Sequence, residues 1–387
     1  MITCRANDIP PFIVMDVLER AHEIERSGHD VIHLEIGEPD FDTPDCIKDA
    51  GKKAIGDGET HYTHSLGILE LREAIAEYYL QRYGVTVSPD QIVVCSGTSP
   101  AMFMIFAALL EAGDEVVLSN PHYACYPNFI NFFGAKPVFV NVDENDGFQF
   151  RPENIENALT PRSKAVFINS PANPTGTLLS PQRMQRIADI SPLVISDEIY
   201  HGLVYGSERE HSILEFTDQA IVINGFSKLY AMTGWRLGYL IAPRPFIRPI
   251  QKIQQNFFIS AGSVSQKAGV AALKESGPDV ERMRTIYDQR RRFLIKGLRD
   301  LGFNIQVEPT GAFYILVNAK HLDHDSYRLA FDILEKAGVG VTPGIDFGSN
   351  AEGFLRFSYA NSLENIAEGL KRLRNYLDNR AISNSQC

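Results

Sequence analysis

Short runs of β-branched and apolar residues recur along the first two-thirds of the chain, at 91–95, 114–119, 136–142, 164–169, 193–196, 220–226 and 239–242. Each has the length and texture of a buried strand. Between and after them, apolar residues fall at three- and four-residue intervals over 69–83, 100–110, 126–133, 151–159, 180–190, 246–258, 263–275 and 278–301. That spacing puts the apolar side chains on one helical face. Strands that alternate with helices predict an α/β fold with a mostly parallel sheet covered on both faces.

The ends of the chain read differently. A proline-stiffened arm (Pro10, Pro11) leads to an apolar tip over 12–15, suited to packing on a second subunit. A helix over 16–27 stops at Gly28, and a strand follows over 31–36. Thr43 or Asp45 is expected to cap the next helix around Pro44. The last hundred residues read as βαβ-like: strands over 304–307 and 312–317, a helix over 326–336, a strand over 354–358 and a helix over 362–378. Residues 379–387 read as a disordered tail. The arginines of 278–301, namely Arg282, Arg284, Arg290, Arg291 and Arg292, are expected on a solvated face.

At 387 residues the chain exceeds one ordinary core, which predicts one large and one smaller domain. Its 44% hydrophobic and 22% charged residues are those of a soluble globular protein. The net charge of −11 and the pI of about 5.4 exclude nucleic acid and anionic membrane as partners, since both need a basic face. The five cysteines (Cys4, Cys46, Cys95, Cys125, Cys387) are scattered and lack C-x-x-C spacing, so neither a disulfide framework nor a metal site is expected. That usage, with no signal-peptide pattern and no apolar run near ~20 residues, makes the cytoplasm the default location.

Candidate chemistry gathers at the ends of the strands. The run 220–226 terminates at Ser227 and Lys228, where open α/β sheets place ligands. An amine held in a partly dry pocket loses its charge more easily and condenses with an aldehyde. Arg236 offers a planar fork for a phosphate. The turn Ser96-Gly97-Thr98-Ser99 feeds a helix N-terminus, whose free N–H groups either bind an anion or are simply capped. Asp197 closes the strand 193–196 and acts either as a helix cap or as the partner of a cation such as a protonated ring nitrogen. Arg356, set among apolar strand residues, needs an anion, from an internal salt bridge or from a bound carboxylate. Tyr123 and Tyr126 compete as the aromatic face on which a flat ring would stack.

The pattern S-K-x-x-x-M-x-G-x-R-x-G from Ser227 to Gly238 closely resembles the lysine signature of the class I/II aminotransferases, pyridoxal-phosphate enzymes of the aspartate aminotransferase fold. Family-like pieces stand elsewhere in the family's order: Gly37-Glu38-Pro39-Asp40-Phe41, Tyr62-Thr63, Ser96-Gly97-Thr98, Asn173-Pro174-Thr175-Gly176, Asp197-Glu198-Ile199-Tyr200 and Arg356-Phe357-Ser358-Tyr359-Ala360. The resemblance spans roughly residues 30–375 and implies fold type I. In that fold a large cofactor-binding domain (46–285) carries a mostly parallel seven-stranded sheet flanked by helices. A smaller α+β domain is built from the N-terminal segment (1–45) and the C-terminal third (286–387).

It further implies that Lys228 forms a Schiff base with pyridoxal 5′-phosphate and shuttles the α-proton of an L-amino acid, with a 2-oxo acid closing a ping-pong cycle. By the same resemblance Asp197 meets the ring nitrogen, Tyr123 stacks on the ring, and Asn173 and Tyr200 share the phenolic oxygen. Gly97, Thr98, Ser99, Ser227 and Arg236 surround the phosphate, and Tyr62 reaches it from the other subunit of a homodimer. Gly37, Asn173 and Arg356 hold the substrate carboxylate. Gly225 departs from the family, many members of which carry a phosphate-binding serine three residues before the lysine. No second arginine or lysine is assignable to a distal carboxylate, and the apolar arm leans toward neutral or aromatic donors. A carbon–sulfur β-lyase of the same fold shares all of these residues. A cofactor-sensing regulator would need a DNA-binding module, and no helix-turn-helix precedes residue 16.

Overall fold

The computed structural model describes residues 2–385, without the side chains of Cys4, Arg5 and 383–385. Cys387 and the end of the expected tail lie outside the described residues.

The seven apolar runs form one seven-stranded sheet, in the order Ile92–Cys95, Gly238–Ile241, Ala220–Gly225, Val194–Asp197, Ser163–Asn169, Glu115–Asn120, Lys136–Asn141. Gly238–Ile241 runs antiparallel to both neighbours and the rest are parallel to one another. The continuous hydrophobicity of the runs has a direct cause, since both faces are buried. Val166 and Ile168 pack into one core, and Ala165 and Phe167 into the other. The period-2 alternation of Cβ directions divides each strand between the two layers. Consequently the carboxyl ends of the parallel strands open onto one edge of the sheet, and the loops after Cys95, Asn120, Asn169, Asp197 and Gly225 converge there.

Gly225 pairs with Gly238 in the antiparallel ladder. A Cβ on Gly225 would sit 3.0 Å from Gly238 Cα and 3.1 Å from Leu237 O, so the backbones meet where a serine would not fit without a shift.

A second, three-stranded sheet runs in the order Thr342–Pro343, Phe354–Ser358, Tyr314–Asn318, all antiparallel, which corrects the βαβ-like expectation. The expected strand over 304–307 does not form: only Asn304 bridges to Asn318, and Ile305 is buried without a ladder. The expected strand over 31–36 shrinks to Ile32–His33, paired in parallel with Val339–Gly340. The tail is no coil, because Leu363–Ser385 is one helix, anchored where Arg380 donates to Tyr376 Oη at 2.7 Å and Leu322 O at 2.9 Å.

Two local expectations also change. The helix Asp45–Gly56 has no side-chain cap, since the Thr43 hydroxyl instead donates to Ala231 O at 2.5 Å and accepts from Trp235 Nε1 at 3.1 Å. Arg290 and Arg291 are buried rather than solvated. Arg290 pairs with Asp40 at 2.7 Å, and Arg291 pairs with Asp288 and donates to Pro309 O. The apolar arm turns inward at Val14, which is buried. Its helix, Ile13–Arg26, takes its N-terminal cap from the far end of the chain: Asp346 accepts from the amides of Ile13 at 3.0 Å and Val14 at 3.3 Å. Among the described residues no helix is long and apolar enough to cross a membrane.

Candidate active site

Beside the strand ends lies a cavity of about 390 Å³, walled on one side by the large sheet's loops and on the other by Phe12, Val14 and Met15 of the arm. Lys228, Asp197, Tyr200, Asn173, Tyr123, Thr98, Ser99, Ser227, Arg236, Gly37 and Arg356 all line it. Their positions in the sequence span more than three hundred residues, so only the fold brings them together.

Lys228 Nζ donates to Gly37 O at 2.5 Å. Burial, opposed by the nearby Glu38 carboxylate, brings its pKa down to about 8, within reach of the free-amine form at neutral pH. Asp197 is buried, and burial pushes it up to about 6, even though Tyr126 Oη donates to it at 2.7 Å and the Ile199 amide at 3.1 Å. Among the described residues no cation lies within ion-pair distance of it. Tyr126 thus orients this carboxylate, and Tyr123 lines the cavity with its ring edge-on to both Tyr126 and Phe12.

Arg356 is buried in the strand Phe354–Ser358 with no carboxylate within ion-pair distance among the described residues, so the internal salt bridge is excluded. Its guanidinium is sandwiched between Tyr314 and Phe347, at 4.3 and 4.8 Å from the ring centres. Nη1 donates to Asn173 Oδ1 at 2.9 Å, Nη2 to Glu35 O at 2.5 Å and Thr342 Oγ1 at 3.1 Å, and Nε has no partner among the described residues. A buried cation held only by neutral acceptors, with its Nε–H unspent, is chemically suited to an anion. Asn173 gives its carbonyl to Arg356, which leaves its amide N–H₂ as the donor.

The phosphate-sized corner is built from backbone. Gly97, at φ 98°, precedes the helix Thr98–Leu109, which has no side-chain cap, so its first N–H groups remain free. Arg236, itself left-handed at φ 49°, lies directly over Gly97, and a Cβ there would come within 2.6 Å of Arg236 Nη2. Glycine is what lets the guanidinium sit at the helix mouth. Arg236 has no carboxylate partner among the described residues. The set as a whole leaves one carboxylate, one amine, two guanidiniums and a helix N-terminus uncompensated. That charge pattern fits a cofactor with a basic ring nitrogen, an aldehyde and a phosphate.

Sequence reasoning missed Tyr314 and the bond from Tyr126 to Asp197. Tyr314 Oη pairs with Tyr200 Oη at 2.9 Å, its ring supports Arg356, and it lies against Gly37 so closely that any side chain at 37 would collide with it. A tyrosine in a strand carries no motif, so the sequence held no signal for it. Tyr62 stands apart from the cavity and is 86% exposed in the single chain.

Residues 29–373 match the family model described as aminotransferase class I and II. The chain is 44% identical over 382 residues to a (5-formylfuran-3-yl)methyl phosphate transaminase of Methanocaldococcus jannaschii, covering 98% of this chain and 100% of the relative. It is 39% identical to a probable aspartate/prephenate aminotransferase of Aquifex aeolicus, covering 97% and 98%. The crystal structure of Thermus thermophilus aspartate aminotransferase with maleate superposes with a TM-score of 0.93 at 36% identity, over 97% of this chain and 99% of that one. With matches over nearly its whole length and a cavity of the matching charge pattern, the chain belongs to the class I and II aminotransferases, the pyridoxal-phosphate-dependent transaminases.

Proposed function

We propose that the cavity at the strand ends carries the transamination, moving the amino group of a neutral or aromatic L-amino acid to a 2-oxo acid in a cytoplasmic homodimer. Bound pyridoxal phosphate supplies an aldehyde and an electron-accepting ring. Lys228 is its covalent anchor and afterwards the base that takes the proton from the substrate's α-carbon. The observation that carries this reading is that the Lys228 amine shares one cavity with buried Asp197 and Arg356, neither of which has an ion-pair partner among the described residues. A base is most effective when its pKa lies near the working pH.

Asp197 holds a proton at the ring nitrogen and is itself oriented by Tyr126 and the Ile199 amide. Asn173 and Tyr200 donate to the phenolic oxygen, with Tyr200 steered by Tyr314. Thr98, Ser99, Ser227, Arg236 and the free amides after Gly97 hold the phosphate, and Tyr62 reaches it from the partner subunit. Ser227 and the 98–99 turn supply the donors that Gly225 lacks. Arg356, fixed between two rings, takes the substrate carboxylate beside the Gly37 amide, which sets the α-hydrogen toward Lys228. In this reading 46–285 form the larger domain and 1–45 with 286–387 the smaller.

The donor preference follows from the lining. Its described arginines are Arg236 and Arg356, both assigned above, while Phe12, Val14 and Met15 form the outer wall. A screen of amino donors with 2-oxoglutarate tests this: kcat/KM for phenylalanine, tyrosine or leucine should exceed that for aspartate. Lys228→Ala should lose at least ~10³-fold of the activity and the cofactor's bound absorbance together. Pyruvate from cystathionine with no transfer to any 2-oxo acid would overturn the reading.

A further inference from the structure

A second cluster lies away from the cavity, where the helix Ile13–Arg26 crosses the strand Ile32–His33. His22 and Glu25 stand at i and i+3, so they share one face of the helix. His33 faces them from the strand, its ring centre 5.9 Å from that of His22 and its Nε2 at 3.2 Å from Glu25 Oε1. One ligand atom from each of the three lies within 4.8 Å of the others. Behind them Glu35, fully buried, accepts at Oε1 from His33 Nδ1 at 2.7 Å, and its Oε2 has no partner among the described residues. A carboxylate on Nδ1 fixes the ring and turns Nε2 outward as the ligating nitrogen, the arrangement that supports metal-bound histidines.

We propose that His22, Glu25 and His33 form a binding site for a zinc-class divalent transition-metal ion, with Glu35 orienting His33 and solvent taking the remaining position. Two imidazoles and one carboxylate suit zinc, cobalt or nickel and are too soft a set for calcium or magnesium. Bonds of about 2.1 Å would bring tetrahedral ligand atoms to about 3.4 Å apart. His22 and Glu25 are exposed and free to close that gap, while His33 stays fixed. The cysteine spacing that argued against a metal carries no information about this site, which uses no sulfur.

The ion would join two elements that both reach the cavity. The helix begins at the arm residues of the outer wall, and the strand continues into Glu35 O and Gly37 O, the acceptors on Arg356 and Lys228. It would thus pin the wall against the segment that aligns the two residues.

Calorimetric titration of the chelator-treated holoenzyme with zinc sulfate tests the site. One ion per chain should bind, and His22→Gln and Glu25→Gln should each weaken Kd at least ~10-fold. Both residues are exposed, and the cofactor's absorbance verifies that the variants are folded. No binding heat above the buffer blank, or affinities unchanged in both variants, would overturn the proposal. Zinc held elsewhere, for instance at a cysteine, would give that second result.

Discussion

Asp197 and Glu198 are neighbours at the end of one strand, and both are buried carboxylates, yet they live in opposite electrostatic worlds. Glu198 turns away from the cavity into a network that completes itself. Ser196, Ser212 and the Ile213 amide donate to its Oε1, and its Oε2 shares a hydrogen bond with Tyr79 Oη at 3.3 Å. His201 beside it gives its Nε2 proton to Ser170 O at 2.9 Å and accepts from Tyr83 at Nδ1, which leaves no donor facing Glu198. With no cation to balance it, burial pushes Glu198 up to about 8 and His201 down to about 4, so both are neutral near pH 7. Asp197, with only two donors, is held at about 6, low enough to stay charged. Neutral and satisfied marks structure, whereas charged and unmatched marks a place kept for something else.

The comparison breaks if the two residues tolerate replacement by the amide equally. Asp197→Asn should lower kcat by about 10²–10⁴-fold, the loss expected when a buried ion pair loses one partner. Arg356→Lys should come next, raising KM for the amino donor about a hundredfold while the cofactor's absorbance is unchanged, because lysine cannot fill the slot between Tyr314 and Phe347 as a planar fork does. Glu198→Gln should be the mildest and leave kcat intact. Its signature is in stability. A carboxyl raised from 4.5 to about 8 in the folded state contributes stability below pH 4.5 and has lost it above about 8. Glutamine does not titrate, so the variant's Tm should gain on the parent's steadily from pH 5 to pH 8. A parallel pair of Tm–pH curves would show that Glu198 is ionised throughout.

How much of this was legible in the sequence follows from the range of the forces involved. The sheet strands and the helices Leu69–Tyr83 and Ser263–Glu275 follow from local periodicity. The motif residues fall where strands end because the α/β architecture puts loops there. What could not be read was set by tertiary partners. Thr43 is a good cap by chemistry, but Ala231 and Trp235 claim its hydroxyl. Residues 304–307 have strand composition but a single bridging neighbour. Residues 379–385 look like coil until Arg380 finds Tyr376 and Leu322. Tyr314 joins the site, and Tyr126 finds Asp197, only through contacts 114 and 71 positions away in sequence.

The cap that Asp346 places on the helix Ile13–Arg26 has a consequence for biosynthesis. The acceptor of the Ile13 and Val14 amides is synthesised 333 and 332 residues after them. At translation speeds of roughly 5–20 residues per second the arm waits on the order of 20–60 seconds for its anchor. The wall of the cavity is therefore locked in place only when a segment made much later arrives.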